Sequence, residues 1–508
     1  MTDHQLPPVS KPYWHDTIQT ESFSSLDKSI KTDVAIVGGG ITGITTAYLL
    51  AQQDFNVTLI DADTLISGTT GHTTAKITAQ HGMIYDEFIQ HFGQEKAQLY
   101  YEGNDQAAKL IEDIIEKHHI DCDYSKQDAF LFTNDEKFTD QLMNEKKAYD
   151  QLNIKSELTS QIPLDIPIKS ALMMHNQAQF NPVKYLNNLI EICIQKGVQF
   201  YEQTMAIDVE YNKHPAIVTE SGHRITCRYV VSASHYPFFD GQGFYPTRMY
   251  ADRSYVIAAH CSDPYPGGIY INAEEPTRSI RVANIDGEED LWLIGGENHK
   301  TGQGKPTMSH YDALNQFAHQ HFQVTNVPYR WSAQDLVTLD KLPYIGPLTK
   351  KRTNILVATG YRKWGMTTGT MAANIITDLI TETENPVAEL FAPARFHADP
   401  AIKSFTTYNA DVAKHLVKGK LSNSESDISD LQPDEAMIAR IKGQRTGVYK
   451  DKEKNLHLVD TTCTHLGCEV TWNSGERTWD CPCHGSRFSY TGEVIQGPAK
   501  KPLKNIKK

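Results

Sequence analysis

A chain of 508 residues predicts two to four domains at about 100–200 residues each. With 40% hydrophobic and 22% charged residues, its composition is that of an ordinary globular protein and excludes wholesale disorder. Against 62 acidic residues stand 49 Lys and Arg, a formal charge of −13, so no global cationic field would gather nucleic acid.

Residues 1–30 are polar and proline-bearing, and are expected to form an N-terminal arm. They lack the basic start and apolar core of a signal peptide. No stretch reaches 18 clean apolar residues, so no transmembrane segment is expected. The expected location is the cytoplasm. Peripheral contact with a membrane stays open through the basic C-terminus, Lys500 to Lys508, whose plainer reading is a solvated tail.

From residue 31 to about 395, short apolar runs alternate with helical patterns, the mark of an α/β domain. A strand over 33–37 runs into Gly38-Gly-Gly40-Ile-Thr-Gly43, followed by a helical pattern over 44–52. Gly38, Gly40 and Gly43 fit GxGxxG: a tight turn, room for a pyrophosphate, and close packing of helix on strand. The helix N-terminus then offers N–H groups to the phosphates. A second strand over 57–61 ends in Asp61, 18 residues after Gly43, where a ribose hydroxyl needs an acceptor. This predicts a dinucleotide site and leaves NAD or FAD open. Far downstream, a strand over 355–359 enters a second glycine-rich turn, Gly360 to Gly365-Met366-Thr367, and a helix to 380. Two such turns imply a discontinuous domain closing over one cofactor.

Residues 396–430 lose apolar periodicity, end in a Ser/Asp-rich stretch, and are expected to form a linker. From 431 onward, short β-rich runs at 446–449, 456–459, 470–472 and 477–480 predict a small antiparallel domain. Four of the eight cysteines, Cys463, Cys468, Cys481 and Cys483, fall within 21 residues of this region. The others (Cys122, Cys193, Cys227, Cys261) are scattered and expected to be buried and inert. Cys463-Thr-His465 and Cys481-Pro-Cys483-His484 each offer a thiolate and an imidazole. A Cys₂His₂ zinc site could use that set. A [2Fe-2S] cluster with thiolates on one iron and imidazoles on the other needs the same mixture. Two surplus cysteines beside the ligands favour the cluster.

The stretches Gly38 to Asp61, Ser67-Gly-Thr69-Thr70, Leu342-Pro-Tyr-Ile-Gly346-Pro and Ala358-Thr-Gly360-x4-Gly365-Met366-Thr367 resemble the flavoprotein family of D-amino acid oxidase and glycine oxidase. Over roughly 30–395 the resemblance implies FAD, held by Gly38, Gly40, Gly43, Asp61, Thr69, Thr70, Gly360, Gly365, Met366 and Thr367. A looser match at Glu202-Gln-Thr-Met-Ala206 implies an adenine contact from Ala206. His72 lines up with a histidine that carries FAD covalently in dimethylglycine dehydrogenase; packing without a bond is the plainer reading. The implied fold is an α/β FAD-binding Rossmann-type domain over 31–395, with an inserted α+β substrate domain at about 85–175 and 240–335. Residues 431–508, including Gly497-Pro498, resemble a small all-β Rieske domain. That resemblance implies Cys463 and Cys481 on one iron, His465 and His484 on the other, and a Cys468–Cys483 disulfide. It also places Ser486 as a donor to a cluster sulfur. Phe488 stands where high-potential members have tyrosine, which implies a lower potential.

A flavin accepts a hydride and releases electrons singly, and a Rieske cluster carries one at a time. The expected protein is an FAD-dependent oxidoreductase, a dehydrogenase rather than an oxidase, acting on a small amine or amino-acid-like substrate. Its electrons would pass through its own [2Fe-2S] cluster to a one-electron carrier or quinone-linked acceptor. Reverse flow to a flavin-bound substrate, or a non-enzymatic redox module, are the alternatives. Where glycine oxidase-like members place an arginine for the substrate carboxylate, this chain has Trp331-Ser-Ala-Gln-Asp335. Asp335 is the substrate-facing candidate, selecting a cationic or uncharged amine. In the opposing reading Asp335 is structural, and Arg253, Arg278 or Arg281 takes a carboxylate. Arg278 and Arg281 are expected to lie near one another, and Gly295–Gly302 to form a binding loop or, more plainly, a turn.

Overall fold

The computed structural model describes residues 6–211, 214–283, 290–395, 398–421 and 428–506. Val34–Val37 is buried along its whole length, as a parallel strand covered on both faces must be. It is the centre of a six-stranded sheet, ordered Tyr344–Thr349, Arg352–Thr359, Tyr229–Ser232, Val34–Val37, Val57–Ile60, Gln199–Tyr201. All neighbours are parallel except the outermost pair, Tyr344–Thr349 with Arg352–Thr359. Helices Ile41–Ala51 and Gly365–Ile380 follow the two glycine-rich turns, as the sequence predicts. A Cβ on Gly43 would lie 1.9 Å from the Gly38 carbonyl oxygen, so only glycine lets this helix meet its strand.

A second, nine-stranded mixed sheet is built from inserted segments and carries helices Glu136–Gln151 and Met308–His321, while helix Gln94–His118 packs on Gly365–Ile380. At one edge run its two longest strands, Val324–Thr338 and Met249–Cys261, followed by Leu291–Lys300 and Arg278–Ala283. Side chains alternate across a strand. Gln334 and Asp335, neighbours in sequence, therefore face opposite sides, with Asp335 opposite Asp252 and Gln334 opposite Arg253.

The C-terminal region is two small antiparallel sheets. One joins Glu435–Ile441, Gln444–Lys450 and Leu456–Asp460; the other joins Thr471–Asn473, Thr478–Asp480, Arg487–Ser489 and Val494–Gln496. Trp479 and Phe488 fill its core. Among the described residues no helix is long and apolar enough to cross a membrane.

Two expectations change. Much of the expected linker is a helix, Ala398–Leu421. Tyr408, Val412 and Leu416 recur every four residues, a helical stripe; Val412 and Leu416 pack on the core around the cluster loops. The buried Tyr408 hydroxyl donates to the Cys483 carbonyl at 3.0 Å and to Pro246 O at 3.2 Å. Nor is the N-terminal segment a free arm over its described part. Trp14 is 1% exposed and donates to Thr73 O at 2.7 Å, and Arg330 donates to Pro7 O at 2.6 Å. Tyr13 and Trp14 join the main core, with Ile18 and Phe23 packed against it. Trp14→Ala is expected to lower unfolding stability by about 3–5 kcal/mol, read from the urea midpoint.

Candidate functional site

Both glycine-rich turns open on one cavity of about 730 Å³, within the range of cofactor sites. Gly38, Gly40, Asp61, Thr69, Thr70, His72, Ala206, Gly360, Gly365 and Met366 all line it. Gly43 and Thr367 stand behind the wall: Thr367 is buried and donates to Thr78 O at 3.0 Å. Asp61 accepts from Gly39 N at 2.7 Å and Asp63 N at 2.9 Å, which fixes its carboxylate at the end of its strand. Thr70 Oγ1 accepts from Ile41 N at 3.1 Å, and Thr69 Oγ1 donates to Gln334 O at 3.1 Å. His72 Nδ1 lies 3.0 Å from Gly68 O, its ring beside that of His15; burial lowers its pKa to about 4. The two helix N-termini, the glycine turn and the strand-end acid on one cavity fit FAD.

The curved nine-stranded sheet forms the other wall. Asp335 lines the cavity, beside Lys363, which is ion-paired with Asp252 at 3.1 Å. Burial, reinforced by Asp252, raises the Asp335 pKa to about 7 against the pull of Lys363 and Arg253. The three candidate arginines do not line this cavity. Arg253 points to the opposite face, donating to Ser332 Oγ at 2.8 Å and Gln334 Oε1 at 3.1 Å. Arg278 pairs with Glu297 at 2.6 Å, and buried Arg281 donates to the carbonyls of Thr74, Ala75, Phe180 and Val282. Arg278 and Arg281 take opposite faces of one strand, because three residues is an odd number of half-periods. Residues 295–300 are neither loop nor turn but belong to the strand Leu291–Lys300. Gly295 and Gly296 line the cavity, and Gly296, at φ +145°, has no room for a Cβ, which would lie 1.8 Å from Thr277 O. Lys76, which no motif marked, also faces in, its Nζ on Ser279 Oγ at 2.9 Å.

In the C-terminal region, turns bring Cys463, His465, Cys481 and His484 together. The thiols of Cys463 and Cys481 are in hydrogen-bonding contact, and Ser486 reaches Cys463. The two imidazole rings lie 5.0 Å apart. Both Nδ1 atoms are buried without a partner, and burial lowers both histidine pKa values to about 4. Two neutral imidazoles with free lone pairs beside two thiols fit a [2Fe-2S] cluster. Cys468 and Cys483 form a disulfide across the loops, so their proximity to Cys481 is not a three-thiolate site. Ser486 Oγ accepts from Ala499 N at 3.0 Å, leaving its proton for the cluster side. The four scattered cysteines are buried, and burial pushes each thiol up to about 12.

The cluster loops are docked on the far face of the strand that carries Asp335. Gln334 Nε2 donates to Gly485 O at 2.9 Å, and Gln303 Nε2 to Pro482 O at 3.2 Å. Buried Arg253 lies 3.8 Å from Asp480, the residue before Cys481. The His465 ring is 6.4 Å from that of Tyr236, which lines the cavity. Val494 to Lys500 line the cavity too, and Lys500 Nζ donates to Ile207 O at 2.7 Å. Lys500 is thus part of the cofactor wall rather than a solvated tail. Lys507 and Lys508 lie outside the described residues.

Residues 33–379 match the family of FAD dependent oxidoreductases, and residues 424–507 match the Rieske [2Fe-2S] domain. A Bacillus subtilis protein named provisionally as a Rieske 2Fe-2S iron-sulfur protein, YhfW, is 48% identical over 99% of both chains. Gamma-glutamylputrescine oxidoreductase of Escherichia coli is 23% identical over 75% of this chain and 90% of its own. Glycine oxidase of Geobacillus kaustophilus superimposes with a TM-score of 0.60 at 19% identity, covering 72% of this chain and 99% of that one. L-amino acid deaminase of Proteus vulgaris gives 0.61 at 15% identity, over 74% and 100%. At these identities the two structures share the fold.

Purified protein is expected to carry two irons and two acid-labile sulfides per chain, with a Rieske EPR signal. His465→Ala should abolish that signal and keep FAD, since His465 does not line the cavity. Stoichiometric zinc without sulfide would contradict the assignment.

Proposed function

Since the chain belongs to the FAD-dependent oxidoreductase family and carries a Rieske domain at its C-terminus, we propose that it is an amine dehydrogenase wired to its own cluster. Its substrate is an amine or amino-acid-like molecule, and its electrons leave through the cluster to a one-electron carrier. The supporting observation is the docking: the strand that lines the FAD cavity with Gln334 and Asp335 also holds the cluster loop, through Gln334 Nε2 to Gly485 O, and Val494 to Lys500 of the C-terminal domain form part of the cavity wall. FAD supplies two-electron oxidation and stepwise release, and the [2Fe-2S] centre supplies one-electron transport.

The chain's own residues set the conditions. Val494 to Lys500 form one wall of the cavity. Asp335 offers a carboxylate to a cationic nitrogen. Below pH about 7 that carboxyl is protonated and serves as a neutral donor; above it, it is an anion. An ammonium ligand is therefore held better as pH rises through about 7.

Anaerobic mixing with a library of amines, following flavin and cluster absorbance together, tests the reading. Flavin bleaching by an amine should precede cluster reduction, at a rate independent of protein concentration. No bleaching by any amine, or a second step that scales with concentration, would contradict it. Asp335→Asn is expected to weaken the productive amine by about 1–3 kcal/mol and to flatten the rise in affinity with pH, with FAD content unchanged. Equal affinity in the variant would remove Asp335 from the substrate site.

A further inference from the structure

The end of the cavity away from Asp335 holds a cation with no acidic partner. Lys76 starts the short strand Lys76–Ile77, and its Nζ donates to Thr74 Oγ1 at 3.0 Å and Ser279 Oγ at 2.9 Å. Both acceptors are neutral hydroxyls. Among the described residues Lys76 makes no salt bridge, and its one charged neighbour of consequence is another cation, Arg281. Arg281 is committed to backbone carbonyls, with its guanidinium 5.3 Å from the centre of the Trp14 ring. An ammonium has three donors, so one remains for the cavity that Lys76 lines. Burying a lysine against hydroxyls and a second cation is unfavourable unless an anion completes the site.

We propose that Lys76, steadied by Ser279 and Thr74, is the anchor for a carboxylate on the substrate. Burial and Arg281 lower its pKa to about 7, so at mildly acidic pH it carries the charge that a carboxylate requires. The inference deepens the amine-dehydrogenase reading and rests on it for the identity of the other substrate group. Ser279 and Asp335 lie on strands separated by two others, about 14 Å apart across the sheet at some 4.8 Å per strand, and the register sets Ser279 level with Trp331, four residues farther along the strand from Asp335. A simple α-amino acid carries its two charges on one carbon and does not reach both. The substrate class that fits is an amine whose carboxylate lies several bonds from the nitrogen.

Binding to the oxidised holoenzyme tests this without turnover. Butyrate and its neutral isostere butyramide are titrated at mildly acidic pH, read by the flavin difference spectrum and by calorimetry. Butyrate should saturate, and butyramide should bind at least about tenfold more weakly. Lys76→Met should raise the butyrate Kd about tenfold or more, whereas Lys76→Arg should stay within a few-fold of the wild type. Equal binding of butyrate and butyramide, no binding of butyrate, or an unchanged Kd in Lys76→Met would overturn the proposal. Should Lys76→Met lose FAD, the wild-type acid-to-amide ratio and the Lys76→Arg value still decide it. Failure of every amine to bleach the flavin would sink the dehydrogenase reading and leave this result standing.

Discussion

The side-chain amide of Gln334 joins parts of the molecule that are far apart in sequence. Its nitrogen donates to Gly485 O in the cluster loop, and its oxygen accepts from Arg253 Nη2 and from Thr301 Oγ1 at 2.8 Å. Its backbone carbonyl receives the Thr69 hydroxyl from the cavity turn. Buried at 3% exposure, none of these groups can turn to water, and leaving one unpaired costs about 1–3 kcal/mol. The network therefore fixes the cluster loop at one distance from the cavity. Gly485 makes that distance attainable. Its φ is +78°, and a Cβ there would sit 2.3 Å from Ala251 Cβ, so a larger residue would push the loop off the sheet.

Around this bridge the charges are buried in a fixed order. Asp480 lies between Arg253 from the sheet and Arg487 from its own domain, at 3.8 and 3.3 Å. Burial pushes its carboxyl up, but the two guanidiniums and hydrogen bonds from Asn473 and Thr478 hold it below the usual range. Such a triad adds little net stability over an apolar contact, yet breaking it strands a charge. Its effect here is orientation: the carboxylate beside Cys481 is held by a residue of the other domain. At the cavity, by contrast, Asp335 lies beside an acid–base pair, Lys363 with Asp252, whereas Lys76 has the cation Arg281 as its charged neighbour.

Residues legible in the sequence were those whose chemistry is local. The glycine turn, Asp61 and the Cys-x-His and Cys-x-Cys-His loops act over a few residues of backbone, so spacing alone carries their meaning. The helix at Ala398–Leu421 was written in the sequence as the stripe Tyr408, Val412, Leu416, but its polar surroundings obscured it. Arg278 and Arg281 failed as a pair because spacing three on a strand separates what it would join on a helix.

Motif spacing alone predicts a dinucleotide site, two loops that each offer a thiolate and an imidazole, and the order of the regions along the chain; the family resemblance narrows these to FAD and a [2Fe-2S] cluster. Each depends on short-range geometry that a folded backbone reproduces wherever the motif occurs. Packing settles what spacing cannot: which strand of the sheet holds the cluster loop, that the Val494–Lys500 segment borders the FAD site, and that Lys76 looks into it. Those facts join residues as much as 293 positions apart, as in the contact of Lys500 with Ile207. They are set by packing the C-terminal sheets against the nine-stranded sheet, and no local pattern encodes the result of that packing.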